Sequence, residues 1–237
     1  MITDKDELTR RTMAELIKLI EKRSYDPGER LPSERELSER FQVGRGVVRE
    51  VLSVLEGLRF LERRRNSGIY LNVAPERISL EALSLFSALG VSLSVEKLSE
   101  ALEVRRIIEL QGVLLASQRR TDEDLHTLAS IIQRFEEAIA HGTERIEMLD
   151  YEFHMAIFRA TQNMVLTQLV HPFYLMSESR RQLFFSDKTR CIASNEHHKE
   201  ILGAIVKQDS VLAQEIMSQH IGRVELLCSM PGQPSSQ

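Results

Sequence analysis

Apolar residues recur at helical spacing through the first part of the chain and predict three short helices. The predicted helices span residues 8–23, 33–41 and 45–56. The turn signal Asp26-Pro27-Gly28 separates the first helix from the second. Ser33 and Glu36 have the spacing of a capping box and mark the start of the second helix. The pattern therefore predicts a compact helical unit at the start of the chain.

The third predicted helix has two different faces. Its apolar residues share one face, whereas Arg45, Arg49 and Ser53 recur every four residues and share the other. Two short alternating segments follow, residues 60–63 and 69–72, with turn residues and two arginines between them, so a hairpin is predicted. Three helices followed by a basic hairpin is the order of a winged helix-turn-helix, which places its third helix in the major groove.

In the rest of the chain, every segment long enough to show a pattern is predicted to be helical. Pro75 follows the second hairpin strand and is the predicted domain boundary. We therefore expect a mainly α protein, with a winged helix-turn-helix over residues 1–75 and an all-α antiparallel bundle of six or seven helices over residues 76–230. A further helix predicted near residues 84–89 favours a bundle of seven helices. Residues 231–237, PGQPSSQ, are expected to form a disordered tail.

Charge is divided unevenly between these parts. Residues 1–75 hold 15 basic and 13 acidic side chains, whereas residues 76–237 hold 16 and 22. Twelve of the first 15 basic residues are arginine, which suits bidentate contacts to phosphate and guanine. These arginines coincide with the third helix and the hairpin tip, which favours DNA binding over the alternative of a solvated basic face.

Several protein classes are disfavoured by what the sequence lacks. No apolar run approaches the roughly 20 residues that span a bilayer, so no membrane partner is expected. The first residues carry acids and no apolar core, unlike a signal peptide. Two cysteines give no disulfide framework, so a cytoplasmic location is expected. No nucleophile motif is present, and an enzyme is not expected.

Residues 27–64, PGERLPSERELSERFQVGRGVVREVLSVLEGLRFLERR, strongly resemble the DNA-binding domain of GntR-type bacterial transcription regulators. The sequence departs from the family pattern at the helix cap, where Gly44 replaces serine or threonine, and in the wing, where residues 66–70 replace a glycine-rich segment. Glycine is an adequate cap, so the fold is unaffected. The resemblance implies DNA contacts by these residues: Arg35, Arg45, Arg49 and Gly68. Arg65 at the wing tip is expected to add a contact to the DNA backbone.

Residues 80–228 resemble the FCD effector-binding domain of the FadR subfamily. The matching segments are LSEALEVRRIIE, LDYEFHMAIFRATQN, EHHKEILGAI and MSQHIGRV. The two resemblances occur in the right order and cover nearly the whole chain. They imply a homodimer that binds a pseudo-palindromic operator in double-stranded DNA.

The resemblance also places four residues where the family holds a metal ion: Asp150, His154, His198 and His220. Spacing supports the set independently. Asp150 and His154 lie one turn apart on one helix face, and His198 and His220 each belong to an apolar stripe. Nitrogen and oxygen ligands suit Zn, Ni, Co or Mn, of which Zn is the expected ion. The alternative is three unrelated core histidines, each bonded to a carbonyl or an acid.

Two neighbours compete for places at this site. His197 is the alternative to His198, but fewer apolar residues share its helix face, and the family motif aligns with His198. Cys191 lies two turns before His198 and is expected to pack rather than to bind. Arg105 matches an arginine that the family places at the effector pocket, which implies a bidentate contact to an effector carboxylate. Its alternative role is an ion pair with Glu109, four residues on.

We therefore expect a transcription regulator, by default a repressor, controlled by a small organic acid at a metal site in the bundle. The alternative hypotheses are an acyl-CoA-responsive regulator, a sensor of the metal itself, and a metal-dependent hydrolase.

Overall fold

The computed structural model describes residues 4–91 and 95–228, and the chain divides into two compact units, Met1–Ser94 and Val95–Gln237. The described N-terminal elements are α1 (Asp4–Arg23), β1 (Arg30–Leu31), α2 (Glu34–Phe41), α3 (Arg45–Gly57), β2 (Leu61–Arg64), β3 (Gly68–Leu71), a 3-10 turn (Pro75–Arg77) and α4 (Leu80–Ala88). The three strands form one antiparallel sheet in the order β1-β3-β2. This is the winged helix-turn-helix that the pattern predicted.

The capping box at the start of α2 is present as predicted. The Ser33 side chain accepts a hydrogen bond from the Glu36 backbone N–H, and the Glu36 carboxylate accepts one from the Ser33 N–H at 2.7 Å. Gly44 caps α3 without a side-chain hydrogen bond. Strand β1 was not predicted, because two residues are too few to show an alternating pattern.

The first compact unit extends beyond the predicted boundary at Pro75 because α4 packs with it. Ala82 and Phe86 of α4 are buried in the same apolar cluster as the inner faces of α1 and α3. The rings of Phe60 and Phe86 meet edge to face with centroids 4.8 Å apart. By packing, the described part of this unit therefore continues to Val91, which is buried in the same cluster.

The C-terminal unit is all-α, as predicted. Its described helices are α5 (Val95–Arg119), α6 (Asp122–His141), α7 (Ile146–Ala160), α8 (Met164–Met176), α9 (Glu178–Phe184), α10 (Lys188–Val206) and α11 (Ser210–Cys228). The described bundle contains seven helices without α4, so counting the helix near residues 84–89 as the seventh was wrong: that helix belongs to the N-terminal unit. The predicted tail, residues 231–237, lies outside the described residues.

Close packing between α5 and α7 positions the centre of the bundle. Gly112 of α5 leaves no room for a side chain, because a Cβ atom there would lie 2.6 Å from the Phe158 ring. The Phe158 ring of α7, the helix that also carries Asp150 and His154, therefore packs directly against the backbone of α5. No helix in the described part of the chain is long and apolar enough to cross a membrane.

Candidate metal centre and nucleic-acid interface

Four buried side chains from three helices meet in the C-terminal unit. Asp150 and His154 come from α7, His198 from α10 and His220 from α11. Each offers one ligand atom, and these four atoms lie within 4.8 Å of one another. The structure thus brings together the set that the sequence singled out.

The Asp150 carboxylate is the common neighbour of the three rings. Its Oδ1 atom lies 3.4 Å from Nε2 of His198, 3.8 Å from Nε2 of His154 and 4.0 Å from Nε2 of His220. The Nε2 atoms of His154 and His220 are 3.1 Å apart. Atoms that share one ion through bonds of about 2.1 Å lie no more than about 4.2 Å apart. The measured separations are close to that limit, so the group can hold a metal ion.

Unpaired polar atoms support the same conclusion. Both ring nitrogens of His198 and Nδ1 of His220 are buried without a hydrogen-bond partner. Buried polar groups are normally paired, because leaving one unsatisfied costs about 1–3 kcal/mol. Coordination by a cation would engage the His198 nitrogen that faces Asp150. The residues present therefore fit a bound divalent ion.

Electrostatics keep Asp150, His198 and His220 in the ionisation states that metal ligands need. Burial alone raises the pKa of Asp150, but the neighbouring histidines outweigh it and hold that pKa well below its usual range. Burial lowers the pKa of His198 to about 4, against the opposing effect of Asp150. Burial likewise holds the pKa of His220 well below its ordinary value. Near neutral pH, Asp150 is ionised and both of these imidazoles are neutral, as metal binding requires.

A second layer of side chains surrounds His154. Its Nδ1 atom lies 3.1 Å from Oε2 of Glu109, on α5. Tyr174 of α8 donates a hydrogen bond to Glu109, and Arg105 Nη2 lies 3.2 Å from the Tyr174 hydroxyl. Carboxylates that bond the second nitrogen of a ligand histidine fix its tautomer and orientation. No local pattern in the sequence marks Tyr174, which is 65 residues from Glu109.

Arg105 is paired within this layer. Its Nε atom lies 3.3 Å from Oε1 of Glu109, and both side chains are buried. Its guanidinium carbon also lies 4.5 Å from the centre of the Tyr174 ring. The ion pair with Glu109, which the sequence left as the alternative role of Arg105, is therefore present.

The two competitors lie outside the four-residue group. His197 is partly buried, and its ring contacts the Arg223 guanidinium at 3.2 Å. Cys191 is buried, and its thiol donates to the Phe185 carbonyl at 3.2 Å.

The exposed face of α3 carries the arginines expected to contact DNA. Arg45 is exposed and makes no ion pair among the described residues. Arg49 is also exposed, but its Nε atom lies 2.7 Å from Oε2 of Glu34 on α2. Arg35, on the neighbouring α2, is also exposed, and its Nε atom lies 3.9 Å from Oε1 of Glu39. These three cations all face solvent, as a DNA-contacting surface requires.

The arginines of the wing differ in how they are held. Arg63 binds Glu56, with Nε 2.7 Å from the carboxylate, and Arg64 lies over the Tyr70 ring at 4.3 Å. Arg65 is exposed at the tip and pairs with no described side chain. Gly68 has a φ of 138°, and a Cβ there would lie 2.8 Å from Arg30 Nε. Glycine at 68 therefore serves both the backbone turn and the close approach of Arg30.

Comparison with known proteins matches both units. The model of the bacterial regulatory proteins of the gntR family matches residues 8–71, and the FCD domain model matches residues 100–223. The HTH-type transcriptional regulator LutR of Bacillus subtilis is 30% identical over 212 residues, covering 87% of this chain and 94% of that protein. The Uxu operon transcriptional regulator of Escherichia coli is 32% identical over 215 residues, covering 87% and 81%.

A solved structure is similar along the length of the chain. The Streptococcus agalactiae GntR structure has a TM-score of 0.51 and 29% sequence identity, covering 92% of this chain and 99% of that one. The similar proteins thus match both units of this chain in the same order. The chain belongs to the GntR family of bacterial transcription regulators, in the group with a C-terminal FCD domain to which the FadR subfamily belongs.

Proposed function

We propose that this regulator is a repressor that releases its operator when a small organic acid binds beside a metal ion in the helical bundle. One observation carries the proposal. Among the described residues, the buried Lys, Arg, Asp and Glu side chains are four in number, and all belong to the C-terminal unit: Arg105, Glu109, Asp150 and Arg181. The three buried histidines lie in the same unit and are the predicted ligands.

The charges of this cluster favour an anion once a cation is bound. Two arginines balance two carboxylates, and the buried imidazoles of His198 and His220 are neutral near pH 7. A divalent ion held by Asp150 and the three histidines supplies two further positive charges and a coordination position for an oxygen ligand. Buried charge without a counter-charge is costly. A small carboxylate would offset part of this added positive charge.

Zinc is the ion we propose, because three imidazoles and one carboxylate are ligands that it accepts. Asp150, His154, His198 and His220 would hold it, and Glu109 would orient His154. The acid and the cation would then strengthen each other's binding, since coupling between two ligands is reciprocal.

In the DNA-binding unit, we assign base and backbone contacts to the exposed faces of α2 and α3 and to the wing. Arg45 and Arg49 would read base edges or phosphates in the major groove, and Arg35 and Arg65 would contact the backbone. Gly68 would bring the wing backbone close to DNA.

A homodimer is the proposed assembly. Helices α5 and α8, which pack against each other, both leave apolar side chains in solvent. These exposed residues are Val104, Ile107, Met164, Val165 and Leu169. A second copy covering them would remove apolar surface from water and present two recognition helices to a two-fold operator.

The proposal is tested by measuring DNA affinity with and without acid. Operator DNA is first obtained by selection from a random duplex pool, and its affinity is then measured by fluorescence anisotropy. We expect L-lactate, glycolate, citrate or D-gluconate to weaken DNA binding by the Zn-loaded protein at least fivefold, since allosteric couplings are commonly 5–150-fold. The chelator-stripped protein should not respond. DNA affinity that no acid alters would contradict the proposed control.

A further inference from the structure

Arg181, on the short helix α9, is held at one end of its guanidinium. Only 3% of the residue is exposed. Its Nη1 atom donates to the Tyr174 carbonyl at 2.6 Å and to the Ser177 hydroxyl at 2.9 Å, at the C-terminal end of α8. These two bonds fix the orientation of the guanidinium plane.

The other edge of the same guanidinium is unused. Nε of Arg181 is buried without a hydrogen-bond partner, and Nη2 makes no hydrogen bond within the described chain. No described carboxylate lies within ion-pair distance of Arg181, whereas Arg105 is paired with Glu109. An arginine binds a carboxylate side-on through two parallel N–H donors, and the Nε–Nη2 edge provides such a pair.

Arg181 lies beside the metal centre. Its guanidinium carbon is 5.3 Å from the centre of the Tyr174 ring and 5.8 Å from that of Tyr151, the residue after Asp150. Tyr174 also contacts Arg105 and Glu109, so one ring joins both arginines to the layer around His154. Burial lowers the pKa of Arg181, and the Asp150 carboxylate opposes that effect.

We propose that the Nε–Nη2 edge of Arg181 binds a carboxylate of the acid effector and sets the preference for carboxylates over neutral analogues. The inference rests on the proposed function, since it names the residue that recognises the acid. Arg105 keeps its structural bond to Glu109. An effector that reaches both the ion and Arg181 needs a planar carboxylate together with a second oxygen donor, as in a hydroxy acid.

The test is isothermal titration of L-lactate, citrate and D-gluconate into the full-length Zn-loaded protein, with Arg181→Lys as the variant. Lysine keeps the charge but cannot make the side-on pair. We expect the acid that binds the wild type to bind Arg181→Lys at least tenfold more weakly, with unchanged zinc content. Arg190→Lys is the matched control, because the Arg190 side chain is 36% exposed and pairs with Asp187, and this variant should bind as the wild type does.

The outcomes separate the two claims. Acid binding by the wild type and equal binding by Arg181→Lys would overturn this inference and leave the proposed function standing. No binding of any of these acids by the wild type would contradict the proposed function, and this inference with it. If Arg181→Lys fails to fold, the inference is tested instead by NMR of the arginine Nε–H resonances of the wild-type protein. A downfield shift of a buried Nε–H on addition of the binding acid is expected, and unchanged resonances would overturn the inference.

Discussion

One ring nitrogen of His154 faces Glu109, and the second ring nitrogen faces the remaining candidate ligands. Nδ1 lies 3.1 Å from the Glu109 carboxylate, and Nε2 lies 3.1 Å from Nε2 of His220. Burial alone raises the pKa of Glu109, but His154, Arg105 and Tyr174 outweigh it and lower that pKa below its usual value. An ionised Glu109 therefore accepts a hydrogen bond from Nδ1–H of His154, which directs Nε2 toward the other candidate ligands.

Replacing Glu109 with Gln should weaken zinc binding tenfold to a hundredfold, in the range typical of such supporting groups. Glutamine keeps the shape but loses the charge that makes the imidazole a better ligand. The affinity is measured by competition with a chromophoric chelator. Glu123→Gln, at an exposed position on α6, is the control. An affinity for Glu109→Gln within twofold of the wild type would show that Glu109 does not support the ligand.

Replacing Arg105 with Met should destabilise the protein even without acid. The change leaves the Glu109 carboxylate buried without its arginine partner, which costs about 3–5 kcal/mol in such pairs. Urea unfolding of chelator-stripped protein measures the loss. The double variant Arg105→Met with Glu109→Gln should recover part of it, because the unpaired charge is gone. A stable single variant with weakened acid binding would instead support an effector-binding role for Arg105.

The sequence predicted the candidate ligand set through the family resemblance, and the pattern within each helix supported that set independently. The four-residue spacing of Asp150 and His154 and the apolar stripes around His198 and His220 required no knowledge of how the helices pack. The same holds for the capping box at Ser33 and for the outer face of α3.

Features that depend on packing were not accessible in this way. The bond between Glu109 and Tyr174 joins residues far apart in sequence, and nothing local marks Arg181 as buried. The position of α4 in the first unit is decided by where Phe86 finds apolar neighbours, which the spacing of α4 alone does not specify. Sequence reasoning located the candidate ligands but not the buried side chains that pack around them.

Chelator-stripped protein should lose stability as the pH falls from about 6.5 to about 4. The pKa of His198 is about 4 in the folded chain against an ordinary value of 6.5, because burial penalises the charged ring. Within that window the unfolded chain binds the proton and the folded chain does not, so acid favours unfolding. The effect of this one group is on the order of 3 kcal/mol.

Urea unfolding at pH 7 and pH 4.5 measures the loss. His198→Gln should reduce the pH dependence, whereas His126→Gln, at an exposed position, should leave it unchanged. A stability that is equal at both pH values would contradict the buried, neutral state of His198.

Arg49 and Arg65 should affect DNA binding in different ways. Arg49→Ala should weaken binding to the selected operator by about 5–150-fold and relax the preference for bases near α3. Arg65→Ala should weaken binding to all sequences alike and lower the salt dependence by about one unit of slope, as loss of a phosphate contact does. Anisotropy at several salt concentrations measures both. Arg11→Ala, on α1, is the control, and unchanged affinity and specificity in Arg49→Ala would remove its assigned role.

The most direct test of the account is a thermal-shift screen of small carboxylates on Zn-loaded and chelator-stripped protein in parallel. A ligand at 100 times its dissociation constant adds about 2.7 kcal/mol, or roughly 5–11 °C for a protein of this size. We predict such a rise for one class of acid with the Zn-loaded protein and none with the stripped protein. No rise with any acid, or an equal rise in both samples, would contradict an acid effector bound at the metal centre.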